Sequence, residues 1–166
     1  MNTSTASKST SEIAIEIKGL VKKYGDKFAV AGIDLKVAKG EIFALLGPNG
    51  AGKTTTVEIL EGFRNLTSGE VKVLDFDPAT KGEAGRKWRN RIGIVLQSTL
   101  DAADLSVQET VEHFSHYYEN SRDVNEVIDA VGLREKAEEH VRNLSGGQRR
   151  RLDVALGIIG SPELLF

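Results

Sequence analysis

Residues Gly47-Pro-Asn-Gly-Ala-Gly52-Lys53-Thr54 satisfy the pattern G-x-x-x-x-G-K-[ST] in full, and no other stretch of the chain constrains its fold as strongly. Glycines at these places let the backbone curl until successive N–H groups point into a hollow the size of an anion. A helix opening directly after the turn adds the positive end of its dipole. Lys53 sets a compact cation where β- and γ-phosphates would lie, and the Thr54 hydroxyl is suited to ligate Mg²⁺. The flanks agree. Glu41-Ile-Phe-Ala-Leu-Leu46 is a short, nearly continuous apolar run, which predicts a strand buried on both faces, and Thr54 to Glu61 reads as a helix. A glycine-rich turn that merely happened to hold Lys and Thr would not need this strand–turn–helix setting. Gly47, Pro48, Asn49, Gly50, Ala51, Gly52, Lys53 and Thr54 are therefore candidates for binding the phosphates of a mononucleotide.

The rest of the chain, 166 residues in all, has room for one domain of ordinary size around that turn. Ile13-Ala-Ile-Glu-Ile-Lys alternates apolar and polar residues, the pattern of a strand with one covered face. Phe28 to Val37 is a second apolar-rich stretch, Gly69 to Leu74 reads as another strand, and Arg91 to Gln97 as a short strand with a polar end. From Val107 to Glu139 the composition turns helical, and Gly146 to Ile159 is helix-like. A strand-rich opening followed by helices predicts an α/β fold. Residues 12–166 read as one folded region behind a flexible tail, Met1 to Ser11, which holds seven Ser/Thr and lacks the apolar stretch of a secretory signal.

Charge and composition narrow the function classes. The chain carries 22 Lys+Arg against 24 Asp+Glu, a formal net charge of −2, so nothing electrostatic favours an unspecific nucleic-acid binder. The segment Lys81 to Arg91 has five basic residues, one acidic residue and the only Trp, Trp88. It reads as a solvated loop or helix face rather than a nucleic-acid surface. With no cysteine, disulfides, thiol catalysis and cysteine-based zinc sites are excluded. The sequence contains no apolar run long enough to span a membrane. His113 and His116 lie three residues apart, but no third ligand is well placed, and they read as surface histidines on a helix.

A phosphate-binding turn does not by itself say what a nucleotide is used for. About 90 positions later comes Leu144-Ser-Gly-Gly-Gln148, directly before Arg149-Arg-Arg-Leu-Asp-Val-Ala-Leu. Ser145 alone could be a helix N-cap. The full pentapeptide offers more: two glycines that expose N–H groups, a hydroxyl donor and a helix dipole, hence a second anion site.

With both motifs in hand, the chain from Ile13 to Phe166 resembles the ATP-binding subunits of ATP-binding cassette (ABC) transporters, most closely bacterial exporters of the daunorubicin-resistance type. The resemblance implies a P-loop NTPase core with an antiparallel β subdomain and a helical subdomain at about residues 100–142. Leu144 to Gln148 would be the signature motif, and Tyr24, in Val21-Lys-Lys-Tyr-Gly, would stack on adenine. Gln97 would sense Mg²⁺ and the attacking water. The resemblance further implies a head-to-tail dimer holding two ATP molecules. Each would lie between Gly47 to Thr55 of one subunit, Thr55 included, and Ser145, Gly146, Gly147 and Gln148 of the other. Lys53 and Gln97 would serve catalysis, and Thr54 and Gln97 the metal. The partners implied are a second ATP-binding subunit and a transmembrane permease docked on the helical middle, with no nucleic acid. That puts the protein on the cytoplasmic face of the cell membrane.

Ser161-Pro-Glu-Leu-Leu-Phe166 looks like the opening of the Walker B strand, which in the family ends in an Asp that supports Mg²⁺, followed by a Glu that polarises water and later by a His. On this reading the 166 residues are the N-terminal part of a longer protein, expected by themselves to bind ATP weakly, to hydrolyse it negligibly and to expose apolar sheet edges. Other members of the class act on DNA or ribosomes. Some carry a long coiled-coil insert between the two motifs, for which about 90 residues leave no room, and others carry cysteine zinc modules. Ribosome-acting members, with two cassettes in one chain, stay open. So does a nucleotide-binding module without hydrolysis.

Overall fold

The alternation that opens at Ile13 is realised as a long strand, β1 (Ile13–Tyr24), which buries Ile15, Ile17 and Leu20 on one face. On the other face Glu16 pairs with Lys36 at 2.9 Å and Lys18 at 3.5 Å. A two-residue turn leads into β2 (Lys27–Ala38), antiparallel to β1 with Tyr24 opposite Lys27. The third strand, β3 (Ser68–Val73), lies antiparallel on the other side of β1, with Ile17 opposite Val71 and Ile15 opposite Val73. The sheet order is thus β2-β1-β3. Val30, Val37, Val71 and Val73 complete its buried face. Between β2 and β3 lies helix α1 (Lys53–Leu60), which buries Thr56, Ile59 and Leu60. It ends in a Schellman turn: Gly62, at φ 79°, lets its N–H reach the Ile59 carbonyl (3.1 Å) and the Phe63 N–H reach the Glu58 carbonyl (2.8 Å).

The computed structural model describes residues 12–95 and 104–166, which fall into two units, one running to Thr80 and one from Lys81. The second unit opens with α2 (Gly82–Arg89). Trp88 is its buried anchor, and its basic side chains face solvent on a helix. Strand β4 (Ile92–Gly93) pairs in parallel with β5 (Leu164–Leu165). Bonds from Phe166 N–H to the Gly93 carbonyl (2.9 Å) and from Val95 N–H to the Phe166 carbonyl (2.8 Å) continue the ladder. Helices α3 (Val107–Ser115), α4 (Val124–Ala130) and α5 (Gly146–Ile158) pack around Val107, Val111, Val127, Ile128, Leu152, Ala155 and Ile159. Each of the three is capped by a side chain that accepts a backbone N–H: Ser106, Asp123 and Ser145.

One expected strand is absent. Residues 41–46 pair with no strand among the described residues, and Ile42 and Leu46 are 100% and 87% exposed. A continuous apolar run becomes a buried strand only when strands on both sides take up its N–H and C=O groups. Among the described residues β2 and β3 each keep an outer edge, but neither takes up residues 41–46. The expected strand Arg91–Gln97 is described only in part. Its regular part is Ile92–Gly93, and its final residues lie outside the described region.

Where α5 meets β4 the backbones touch. A Cβ at Gly93 would stand 2.1 Å from the Gly157 carbonyl oxygen, and one at Gly157 2.8 Å from the Val95 side chain. No rotamer change can relieve the first clash, because the obstacle is main chain. Gly93→Ala should therefore lower the unfolding free energy by about 2 kcal/mol or more, read as a drop in the urea midpoint without a change in slope. An unchanged midpoint would mean that α5 does not press on β4.

Candidate nucleotide-binding site

The phosphate loop leaves residue 46 and turns at Gly50 (φ 81°), where the Ala51 N–H bonds to the Pro48 carbonyl at 3.2 Å. Gly47, Pro48, Asn49, Gly50 and Ala51 are exposed. Gly52, at φ 82°, stands immediately before α1. A Cβ there would meet the Ala29 carbonyl oxygen of β2 at 2.2 Å and Val30 at 3.1 Å, so glycine is required both by conformation and by contact. No side chain caps α1, in contrast to α3, α4 and α5. Its first-turn N–H groups keep their pull on an anion. The Lys53 ammonium donates to the carbonyls of Gly47 and Pro48, both at 2.8 Å. Thr54 is exposed on the first turn and Thr55 half-buried beside it, while Thr56 returns its hydroxyl to the Gly52 carbonyl at 2.9 Å.

Tyr24 ends β1 and is 47% exposed. Two cations lie over it: the Lys22 ammonium 5.0 Å and the Arg64 guanidinium 5.9 Å from the ring centre. Arg64 also bonds both carboxylate oxygens of Glu58 on α1. Hydrogen bonding to that carboxylate, and its negative charge, hold the guanidinium above its ordinary pKa.

In the second unit, Ser145 and Gln148 form a reciprocal cap on α5. The Ser145 hydroxyl accepts the Gln148 N–H at 3.3 Å, and the Gln148 side chain accepts the Ser145 N–H at 2.8 Å. The capping reading and the anion reading are compatible, because Gly146 and Gly147 stay exposed. A Cβ on either would meet nothing within 4 Å, and neither has a positive φ. Among the described residues, neither packing nor backbone conformation gives either position a reason to be glycine. Below the turn, Leu144 is buried, and the Arg149 guanidinium bonds the carbonyls of Leu144 (3.2 Å) and Arg142 (2.7 Å).

Lys53, Thr54 and the other loop residues thus lie with Tyr24 in the first unit, and Ser145 to Gln148 in the second. Gln97 lies outside the described residues. His113 bonds the Tyr117 hydroxyl at 3.1 Å, and the described residues contain no cluster of three His, Cys, Asp or Glu fit for a metal. Two arginines that shape these turns, Arg64 and Arg149, were not picked out by the sequence reading. In sequence Arg149 is one of three consecutive arginines, and Arg64 merely follows a glycine-containing turn. Only the geometry of Gly62 brings Arg64 back to Glu58.

Two measurements follow from this geometry. Gly146→Ala and Gly147→Ala should leave the thermal midpoint unchanged or slightly raised, since helical alanine outranks glycine; a clear fall would show that the turn is packed. The second concerns Glu61, half-buried just past α1. Burial first, and the Glu58 carboxylate second, push its pKa up to about 7. Between the ordinary carboxylate range and pH 7 the folded chain then binds a proton that the unfolded chain has released. Glu61 therefore costs stability as pH rises through that window, fully above pH 7 and not at all below the unfolded value. Glu61→Gln should be more stable than the parent by about 1 kcal/mol at pH 8, allowing for partial exposure. Urea titrations should show that gap closing by pH 4.5; a gap independent of pH would refute the assignment.

Comparison with known proteins agrees with the two motifs. Residues 30–166 match the family model described as ABC transporter. The chain is 39% identical over 160 residues to the Nod factor export ATP-binding protein I of Rhizobium sp. (strain N33), covering 93% of this chain and 52% of that protein. It is 37% identical over 160 residues to the daunorubicin resistance ATP-binding protein DrrA3 of Streptomyces coeruleorubidus, covering 93% and 50%. It therefore spans about half the length of the curated relatives it matches. Among solved structures, cbiO1 from Clostridium perfringens, part of the ABC transporter complex cbiONQ, superposes with a TM-score of 0.77 at 25% identity, covering 93% of this chain and 64% of that one. The mixed α/β fold, the phosphate loop and the Leu144–Gln148 turn are accounted for together: the chain belongs to the ABC transporter family.

Proposed function

We propose that this chain is part of the ATP-binding subunit of an ABC exporter, in which ATP closes a head-to-tail pair of subunits and its hydrolysis reopens them. One observation carries the reading. Gly146 and Gly147 keep a capped helix N-terminus bare although nothing among the described residues needs the space. Such a turn suits a ligand presented by another molecule, and a triphosphate seated on the Lys53 loop of a second subunit has the right charge.

Each half of the site has its own task. The loop Gly47 to Thr55 wraps the phosphates with backbone N–H groups and the Lys53 ammonium, while the Tyr24 ring takes the adenine face. Thr54, exposed beside Lys53, offers the hydroxyl that would hold Mg²⁺, together with Gln97; the metal would neutralise phosphate charge as the terminal group leaves. Ser145, Gly146, Gly147 and Gln148 of the opposing subunit contribute a second helix dipole. Neither half alone surrounds the terminal phosphate, so the closed pair is favoured only while that phosphate is present. The relatives named for Nod factor export and daunorubicin resistance support the exporter reading. No helix among the described residues is long and apolar enough to cross a membrane, which suits a subunit that works through a separate permease docked on the helices of the second unit, at the inner membrane face.

The test is the mass of the protein in solution with and without Mg²⁺-ATP, followed by light scattering. The parent should shift toward a dimer. Lys53→Ala should lose nucleotide binding, whereas Gly147→Ala should still bind ATP as a monomer but need at least tenfold more to dimerise. Dimer formation indifferent to Gly147→Ala, or ATP binding indifferent to Lys53→Ala, would overturn the proposal.

A further inference from the structure

The Tyr24 ring is tied to the phosphate-loop helix by one side chain. Arg64 lies 5.9 Å from the ring centre, inside the range in which a cation is drawn to an aromatic face. The same guanidinium forks onto both oxygens of Glu58, the sixth residue of α1, whose first residue is Lys53. The backbone doubles the tie. The Schellman turn at Gly62 folds residues 63 and 64 back over the helix end, and the Arg64 N–H itself reaches the Glu58 carbonyl at 3.1 Å. Lys22 completes the clamp, its ammonium lying 5.0 Å from the ring centre and donating to the Asn65 carbonyl at 2.7 Å.

This arrangement answers a problem in recognising a nucleotide. The approach of Gly52 to β2 and the pairing of β2 with β1 place the backbones of Lys53 and Tyr24, but they do not fix the side chain of Tyr24. A residue this exposed would otherwise sample several rotamers. Arg64 has the right chemistry to hold it: a planar, permanently charged fork that can pair with a carboxylate and still face a ring. We propose that Arg64 is a positioning residue for base recognition, holding the Tyr24 ring at a set place relative to the Lys53 loop. The inference rests on the proposed stacking of adenine on Tyr24. Arg64 is given no contact with the phosphates and no part in hydrolysis.

The experiment compares two ligands, ATP and inorganic tripolyphosphate, which carries the phosphates without a base. Their dissociation constants are measured by calorimetry for the parent protein, Arg64→Gln, Arg64→Lys, Tyr24→Ala and the Arg64→Gln/Tyr24→Ala pair. Arg64→Gln should weaken ATP about fivefold and leave tripolyphosphate within twofold. Arg64→Lys, which keeps the charge but loses the fork, should recover part of the loss. The double variant should bind ATP no more weakly than Tyr24→Ala alone, because the arginine acts through the ring. An Arg64→Gln protein that loses both ligands equally, or keeps full ATP affinity while Tyr24→Ala loses it, would overturn the inference and leave the stacking reading intact. A parent that binds tripolyphosphate as tightly as ATP, with Tyr24→Ala unchanged, would overturn the stacking reading and the inference with it.

Discussion

The contact on which the first unit depends is the approach of Gly52 to the main chain of β2. The phosphate loop has to leave an extended run, curl, and enter a helix within a few residues, and the helix has to lie against the sheet as it begins. That is possible only if the residue at the corner has a left-handed backbone and no side chain, since the Ala29 carbonyl fills the place a Cβ would need. From that corner the rest follows. The Lys53 side chain comes back over the loop, Thr56 bonds the Gly52 carbonyl, and Ile59 and Leu60 reach the core. The end of α1 then swings Arg64 toward the ring of Tyr24.

Glycine does three different things in this molecule, and the differences separate packing from chemistry. At Gly52 and Gly93 a side chain would strike main chain, so those positions serve the fold. At Gly62 the left-handed conformation ends a helix and redirects the chain. At Gly146 and Gly147 neither reason applies among the described residues. A residue whose identity its own chain does not explain is better evidence of an outside contact than any motif match, because the motif itself includes glycines of both kinds.

Much of this was legible in the sequence, and the misses have physical causes. Strand β1 forms where alternation with one covered face predicts it, because an antiparallel strand writes its environment into every second residue, and β2 and β3 fall on the apolar-rich stretch from Phe28 and the strand expected from Gly69. The two motifs lie at the loop and helix starts where their spacing places them. The run from Glu41 to Leu46 was misread because apolarity says a segment is fit for burial but not what will cover it. Arg64 and Arg149 escaped notice for another reason. Both act by bonding main-chain carbonyls or side chains brought near by a turn, and no residue pattern marks such a partner in advance. The Arg149 fork in particular holds the backbone of residues 142 and 144 below a turn that is otherwise bare.

The Lys53 ammonium has three donors, and two of them are spent on the Gly47 and Pro48 carbonyls. A long, flexible side chain of this type carries roughly 1.5–2 kcal/mol of rotameric freedom when unconstrained. Here part of that freedom is surrendered to main chain when the loop folds, not when a ligand arrives. On the proposed function, a phosphate oxygen that reached the loop would meet a cation already held in place, and less of the entropic cost of capture would fall on the protein.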